Sequence, residues 1–385
     1  MENLTNSLKE LIPEYILLVM KEQVNRFKAE LPLEEAFTPP ASWYLEQRFL
    51  ELEQKSCFRF PQYLGSSYHL TKEGDYLTHD IGDEPLVLIR SKEGIKAHYN
   101  VCSHHASCIL EGRGNTSELV CPYHGWRYDL NGKLKKTPLA GAIREIRHKG
   151  LDLKPVRLQY AGPFLFGLPG LAPDDEVPSQ ALEAMEELQN ELDALNLKNY
   201  EFQFRKVYDL DCNWKIFVDN YLDGGYHVPH MHPALTTQID FDSYHTRLGK
   251  WLSVQSVETA SKEHAMVQSA ERFGERAHYL FMYPNFMLNQ YGKWIDVNIA
   301  LPRGTHGCRV IFDYFYQGSL SEEQKQKAVV DSDQVQQEDM VVCERVQKGL
   351  MSSVYDQGVY APKFEAPMYH FHKLLHRDLL KSSES

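Results

Sequence analysis

The stretch Asn100–Leu134, NVCSHHASCILEGRGNTSELVCPYHGWRYDLNGKL, contains two short boxes, Cys102-Ser103-His104 and Cys121-Pro122-Tyr123-His124. Each box offers one thiolate and one imidazole, so together they form a four-ligand set. A structural zinc site also takes two Cys and two His, but zinc fingers usually pair Cys with Cys and His with His. The order C-x-H…C-x-x-H suits a Rieske 2Fe–2S cluster instead, with two Cys on one iron and two His on the other. Cys102, His104, Cys121 and His124 are therefore the candidate cluster ligands. Pro122 and Gly125 predict that each box is a tight loop between strands. Tyr123 stands where a second-box cysteine could have bridged Cys108, so Cys108 is expected to be a small buried side chain. Without that disulfide the cluster should have the lower potential of one fed by a ferredoxin or reductase.

Outward from the boxes, the pattern is of short β-like runs. Pro85–Arg90, Lys96–Val101 and Gly162–Phe166 alternate with Gly and Asp turns such as Asn131-Gly132. An all-β module over 41–170 is expected, closed by a polar stretch with Pro169, Pro173, Pro178 and Asp174-Asp175-Glu176. Before it, residues 1–40 read as a helical arm on Leu8, Leu11, Ile12, Tyr15, Ile16 and Val19, ending before Pro39-Pro40. After it, 171–385 mixes a helix at Gln180–Leu195, strands at Val297–Leu301 and Arg309–Tyr316, and a helix at Glu322–Leu350. The fold class expected is α+β.

Composition bounds the function. The 385 residues are 43% hydrophobic and 24% charged, ordinary for a globular enzyme of two domains. A net charge of −12 argues against nucleic acid, whose phosphates need a basic surface, and fits a cationic small molecule or a basic redox partner. Seven Cys with this use form no disulfide framework. The apolar run Tyr15–Met20 is too short to span a bilayer, and Glu2, Glu10 and Glu14 are wrong for a signal or transit peptide. A cytoplasmic location is expected, or an organellar stroma if a presequence has been removed.

A second centre lies in Asn213–His232, NWKIFVDNYLDGGYHVPHMH. Trp214, Phe217, Tyr221 and Leu222 share a helical face. On an unbroken helix His227 and His232 would point about 140° apart, at roughly 100° per residue. They can converge only if Gly224-Gly225 and Pro229 interrupt it; His230 competes as a ligand. Two His and one carboxylate make the facial triad of a mononuclear Fe(II) site with open positions. The carboxylate follows from periodicity. In Asp333–Leu350 the apolar stripe Val335, Val342, Val346 and Leu350 has Asp339 at its centre, where a charge needs a cation. Glu338 lies at its edge and Glu344 opposite; an Arg or Lys partner for Asp339 is the alternative to iron.

The boxes and NWKIFVDNYLDGGYHVPHMH together resemble the large subunit of the Rieske non-haem iron oxygenases, and their choline monooxygenase branch more closely than the aromatic-ring dioxygenases. The resemblance extends through Phe37–Tyr44, Tyr283–Gly292, Glu338–Leu350 and Gly358–His376. It implies a Rieske domain followed by a helix-grip catalytic domain with an antiparallel sheet, with cluster ligands as above and Fe(II) at His227, His232 and Asp339. Many members have an acid three residues before the first iron His, bridging neighbouring subunits of a homotrimer. Gly224 stands there in this chain, and Asp223, one residue earlier, is expected to take the role, with Asp219 next; Asn220 and Asp223 are the candidate catalytic residues. His105 replaces the usual Arg after the cluster His.

The resemblance implies oxidation of a small quaternary-ammonium substrate, choline to betaine aldehyde hydrate, with O2 and electrons from a separate ferredoxin or NAD(P)H reductase. N-demethylation of a betaine or carnitine-like amine is the alternative within the class, and a plain Rieske electron carrier the alternative outside it. No G-x-G-x-x-G fingerprint appears. A trimethylammonium head calls for aromatic faces, for which Tyr221, Tyr226, Tyr283, Phe286, Tyr291 and Trp294 are candidates, each equally readable as core.

Overall fold

A computed structural model describes residues 19–82, 84–141, 150–232, 236, 239–259, 276–318 and 321–383. Leu8 to Ile16 of the expected arm lie outside these; residues 19–25 are helical, with Met20 and Val24 buried. The chain forms two compact units, Phe58–Phe202 and Met1–Cys57 with Gln203–Ser385. These limits differ from the expected 41 and 171, for reasons visible in the packing. Trp214 Nε1 donates to Glu53 and Asn213 Nδ2 to the Tyr44 carbonyl, holding 41–57 to the C-terminal half. Gln189 accepts from the Gly162 N–H, holding the Ser179–Ala194 helix to the β module.

Phe58–Phe202 consists of β1 (Gln62–Ser66), β2 (Asp75–Ile81), β3 (Glu84–Ser91), β4 (Gly94–Tyr99), β5 (Arg113–Asn115), β6 (Leu119–Val120), β7 (Arg127–Tyr128), β8 (Leu134–Lys136), β9 (Arg157–Ala161), β10 (Phe164–Leu168) and helix α1 (Ser179–Ala194). Three antiparallel sheets run β1-β10-β9, β4-β3-β2-β5 and β6-β7-β8. Register Leu77↔Leu88↔Ala97 places alternate apolar residues in one core with Leu64 and Leu165. A second core holds Cys102 and Cys121 among Ile89, Leu119, Trp126, Tyr128 and Leu153. Cys108 is exposed, contrary to expectation. It follows the first box in an isolated bridge, Val101↔Cys108, and it is the next residue, Ile109, that turns into this core.

The other unit is built on an antiparallel sheet of β11 (Tyr200–Leu210), β12 (Ile239–Leu248), β13 (Leu252–Thr259), β14 (Arg276–Met282), β15 (Phe286–Tyr291), β16 (Trp294–Pro302) and β17 (Cys308–Gln317), in the order β11-β17-β16-β15-β14-β13-β12. Besides the short helices Ser42–Leu45 and Gln47–Lys55, its helices among the described residues include α2 (Trp214–Tyr221), α3 (Val228–Met231), α4 (Glu322–Leu350) and α5 (Ala366–Ser383). Helix α2 packs against both β16 and α4. The α+β class is as expected.

Candidate metal centres

The two cluster boxes fold as copies of one turn. The Ala106 N–H donates to the Cys102 carbonyl and the Gly125 N–H to the Cys121 carbonyl, each at 3.0 Å. Cys102 N–H reaches the Ser107 carbonyl and Cys121 N–H that of Trp126, at 2.9 and 2.8 Å. Closing such a turn needs a left-handed residue: Gly125 has φ +71° and Ala106 φ +59°. Both thiols are buried. Cys102 Sγ lies 3.3 Å from Tyr128 Oη, which also accepts from the Ser103 N–H. Burial opposes ionisation of Cys121, but the N–H groups of Tyr123 and His124 outweigh it and lower its pKa.

The His104 ring stacks on Trp126, centroids 4.6 Å apart at 8°, and meets His124 edge-on at 4.6 Å. Desolvation and the neighbouring His105 and His124 hold its pKa below the ordinary imidazole value. His104 Nδ1 is shut away from solvent with no hydrogen-bond partner among the described residues. A neutral imidazole with a free, shielded ring nitrogen beside two buried thiols is the donor set a Rieske cluster requires.

At the second centre the chain breaks its helix where the Gly pair sits. Asn213 caps α2, its side chain accepting from the Lys215 N–H, and α2 ends at Tyr221. Gly224 (φ +71°) and Gly225 (φ +75°) then turn the chain into α3, with Pro229 in its first turn. The result brings His227, His232 and Asp339 together, with one ligand atom of each within 4.8 Å of the others. His230 points to solvent and takes no part.

Each member of the triad is held by another residue. His227 Nδ1 bonds Asp223 at 2.5 Å, and Asp223 also accepts from the Gly225 and His227 N–H groups. His232 Nδ1 bonds Glu338 at 2.6 Å. Donation from both Nδ1 atoms to carboxylates leaves both Nε2 lone pairs facing Asp339, at 3.8 and 3.1 Å from its Oδ1. Asn220 Nδ2 donates to the same Asp339 oxygen at 3.0 Å. Burial alone would lower the His232 pKa, but the hydrogen bonds and charges of Asp339 and Glu338 raise it. The pocket therefore favours positive charge, and two imidazoles with one carboxylate fit Fe(II).

The apolar stripe expected around Asp339 differs from the observed one. Val346 is 45% exposed, and the buried face of α4 runs through Ser332, Asp339, Cys343, Gln347 and Leu350. Gln347 is on that face because its side chain accepts from the Asn213 N–H, tying α4 to the start of α2. Asp219 is engaged by Tyr44 at 2.7 Å and His372 at 2.9 Å. Position 224 has no room for an acidic side chain. A Cβ there would lie 2.2 Å from the Phe364 carbonyl oxygen.

Of the candidate aromatics, Tyr283 and Phe286 are fully buried core, Tyr283 donating to Asp378 on α5. Tyr221 donates to Asn289, and Tyr226 stacks on Phe364. Tyr291 faces the His segment, packing with Phe241, Tyr244 and Tyr279 around Val228, Val257 and Ala277. Tyr244, Tyr279 and Phe241 escaped sequence reading because alternation along β12 and β14 is visible, but which face meets α3 is not. Trp294 packs on Tyr316.

Comparison with known proteins agrees with this geometry. The Rieske [2Fe-2S] domain matches residues 61–147, and the ring hydroxylating alpha subunit (catalytic domain) matches 197–380. The chain is 40% identical over 366 residues to chloroplastic choline monooxygenase of Arabidopsis thaliana, covering 92% of this chain and 86% of that one. It is 30% identical over 362 residues to the carnitine monooxygenase oxygenase subunit of Escherichia coli (strain K12), covering 89% and 94%. A crystal structure of a quaternary ammonium Rieske monooxygenase with L-carnitine shares the fold, with TM-score 0.76 and 22% identity over 90% of this chain and 99% of that one. The protein belongs to the Rieske non-haem iron oxygenases, with a 2Fe–2S cluster and a mononuclear iron as its cofactors.

Proposed function

We propose that this oxygenase hydroxylates choline to betaine aldehyde hydrate, with Cys102, His104, Cys121 and His124 holding the cluster and His227, His232 and Asp339 the iron. The observation that carries the reading is the convergence of that triad in a chain 40% identical to a choline monooxygenase. When bound, the two groups supply stored electrons and an oxidant able to break a C–H bond, chemistry that no side chain provides. The balance is one O2, two electrons and two protons per substrate, giving the hydroxylated product and water.

The chain's own residues bind and orient. Asp223 and Glu338 fix the tautomer of both His ligands, and Asn220 holds Asp339. Tyr291 and Tyr279, edge to face at 5.8 Å beside α3, offer π-faces to a trimethylammonium head. Asp223 is also the candidate bridge between His104 of one subunit and His227 of the next in a C3 homotrimer, whose head-to-tail contacts close without an open end. Electrons come from a separate ferredoxin or reductase. No helix among the described residues is long and apolar enough to cross a membrane; we place the reaction in the cytoplasm or an organellar stroma.

The test is product analysis with NADH, a surrogate reductase and ferredoxin, and choline, glycine betaine or carnitine in turn. Choline should be consumed with matching O2 uptake, by protein holding about three irons and two acid-labile sulfides per chain. Turnover of carnitine but not choline would move the assignment to N-demethylation, and zinc in place of iron in anaerobically purified protein would end it.

A further inference from the structure

We propose that the β8 edge of the cluster unit is the docking surface for an acidic one-electron carrier protein. The chain as a whole carries −12, which would repel such a partner. Beside the cluster the sign reverses. Strand β8 and the turn before it present Lys133, Lys135 and Lys136, all exposed, and β8 is an edge strand of the β6-β7-β8 sheet among the described residues. Lys133 and Lys136 have no ion pair among the described residues. Lys135 has only Asp129, at 3.9 Å.

Register connects this edge to the cluster. Lys136 is paired across the sheet with Arg127, and Arg127 with Val120, the residue before Cys121. The edge therefore lies two strand spacings, about 10 Å, from the second box. The next residues, Thr137 and Pro138, bring the chain under the loop itself, where Pro138 approaches Gly125. Leu139, fully exposed, adds an apolar contact at the end of the basic row. The acids nearby are already engaged: Glu118 pairs with Arg127 at 2.5 Å, and Asp152 accepts from the Leu134 N–H at 2.7 Å. A local basic row on an acidic protein steers an acidic partner to one place and one orientation. The step it serves is the transfer of one electron, which oxidises the carrier and reduces the cluster with no bond made or broken.

The proposal rests on the reading that electrons come from a separate protein. Lysines on an edge strand also serve simply to prevent strand addition, and the experiment separates the two roles. Holoenzyme turnover is measured against the concentration of a plant-type ferredoxin at low and moderate salt. The triple variant Lys133→Glu, Lys135→Glu, Lys136→Glu should raise the half-saturating ferredoxin concentration about tenfold or more, leave kcat at saturation nearly unchanged and flatten the salt dependence. The matching triple Arg variant should behave as wild type, and dithionite should reduce both clusters fully. An unchanged half-saturation and salt response, with or without aggregation, would leave only edge protection and overturn the proposal. So would dissociation of the Glu variant in sedimentation, which would assign the edge to a second copy of the chain. If the isolated chain oxidised NADH unaided, the separate-donor reading itself would fail, whatever the variants did.

Discussion

The cluster candidates all lie between Cys102 and His124, in two loops with the same hydrogen bonds, and both thiols sit in an apolar core, Cys102 beside the Tyr128 hydroxyl. The iron candidates lie at the two ends of α3 and on α4, with His232 and Asp339 separated by 107 positions. There every ligand is paired with a second polar residue: His227 with Asp223, His232 with Glu338, Asp339 with Asn220. A site made of neighbouring residues can be positioned by backbone turns alone. A site assembled from distant elements needs side chains to fix each ligand. The first should therefore fail only when a ligand or its turn is lost, the second by degrees.

The largest effects separate the centres. His104→Ala should abolish the Rieske visible spectrum, and Asp339→Ala should leave that spectrum intact while removing mononuclear iron and oxygenation. Metal analysis with absorbance on the same samples checks both. Retained activity in Asp339→Ala with a dead Glu338→Ala would show that the wrong acid had been chosen. One step outward, Glu338→Gln and Asn220→Ala should each cost about 10–100-fold in iron affinity or activity, the usual range for residues that orient a ligand. Asp223→Asn keeps an acceptor for His227, so both centres should remain loaded while the reduced cluster is reoxidised more slowly by O2 and substrate. If that reoxidation is unchanged, the bridge belongs to another acid, and Asp219 is a poor substitute because Tyr44 and His372 already hold it.

The same contrast explains what could be read from the sequence. The cluster ligands and their turns follow from spacing, because every constraint lies within one short segment. The break after α2 was legible from Gly224-Gly225, which allow the positive φ values observed, but it falls before both histidines: His227 and His232 cap the two ends of the intact turn α3. Asp339 lies on the buried face although Val346 of the expected stripe is exposed: the buried positions between Asp339 and Leu350 are Cys343 and Gln347, one residue on from Val342 and Val346, and both stripes pass through Asp339. The roles of Glu338 and Asn220, the aromatic wall of Tyr279 and Tyr244, and the anchoring of Asn213 on Gln347 were not legible. Each depends on which strand or helix face a distant residue meets. The limits of the compact units depend on the same kind of contact: Glu53 belongs with the C-terminal half because it accepts from Trp214 there.

Glycine positions sharpen the comparison at intermediate cost. Gly224 and Gly125 share φ +71°, so both resist a side chain by about 1–2 kcal/mol of backbone strain. Their surroundings differ. A Cβ at Gly224 would stand 2.2 Å from the Phe364 carbonyl, whereas at Gly125 it would meet only Pro138, at 3.8 Å. Gly224→Ala must therefore also displace backbone, and should cost roughly 2–4 kcal/mol with partial loss of mononuclear iron. Gly125→Ala should cost only the strain. Urea titrations followed by cluster absorbance and by iron content would rank the two, and a larger loss for Gly125→Ala would contradict the packing.

The smallest effect tests whether the two cluster loops are equivalent. Ala106 occupies the position that Gly125 fills in the second loop and holds φ +59° there, a conformation costing an alanine about 1 kcal/mol. Ala106→Gly removes that strain but adds freedom to the unfolded chain worth about 0.5–1 kcal/mol. The net gain should be at most about 0.5 kcal/mol, read as slower cluster loss in urea. The exchange variant Ala106→Gly with Gly125→Ala is the stricter measurement. If backbone strain is all that distinguishes the positions, the two changes should nearly cancel and the cluster spectrum should be kept. Failure to cancel would mean that one loop contacts its surroundings through the methyl group, and the loops would then be alike in hydrogen bonding but not in packing.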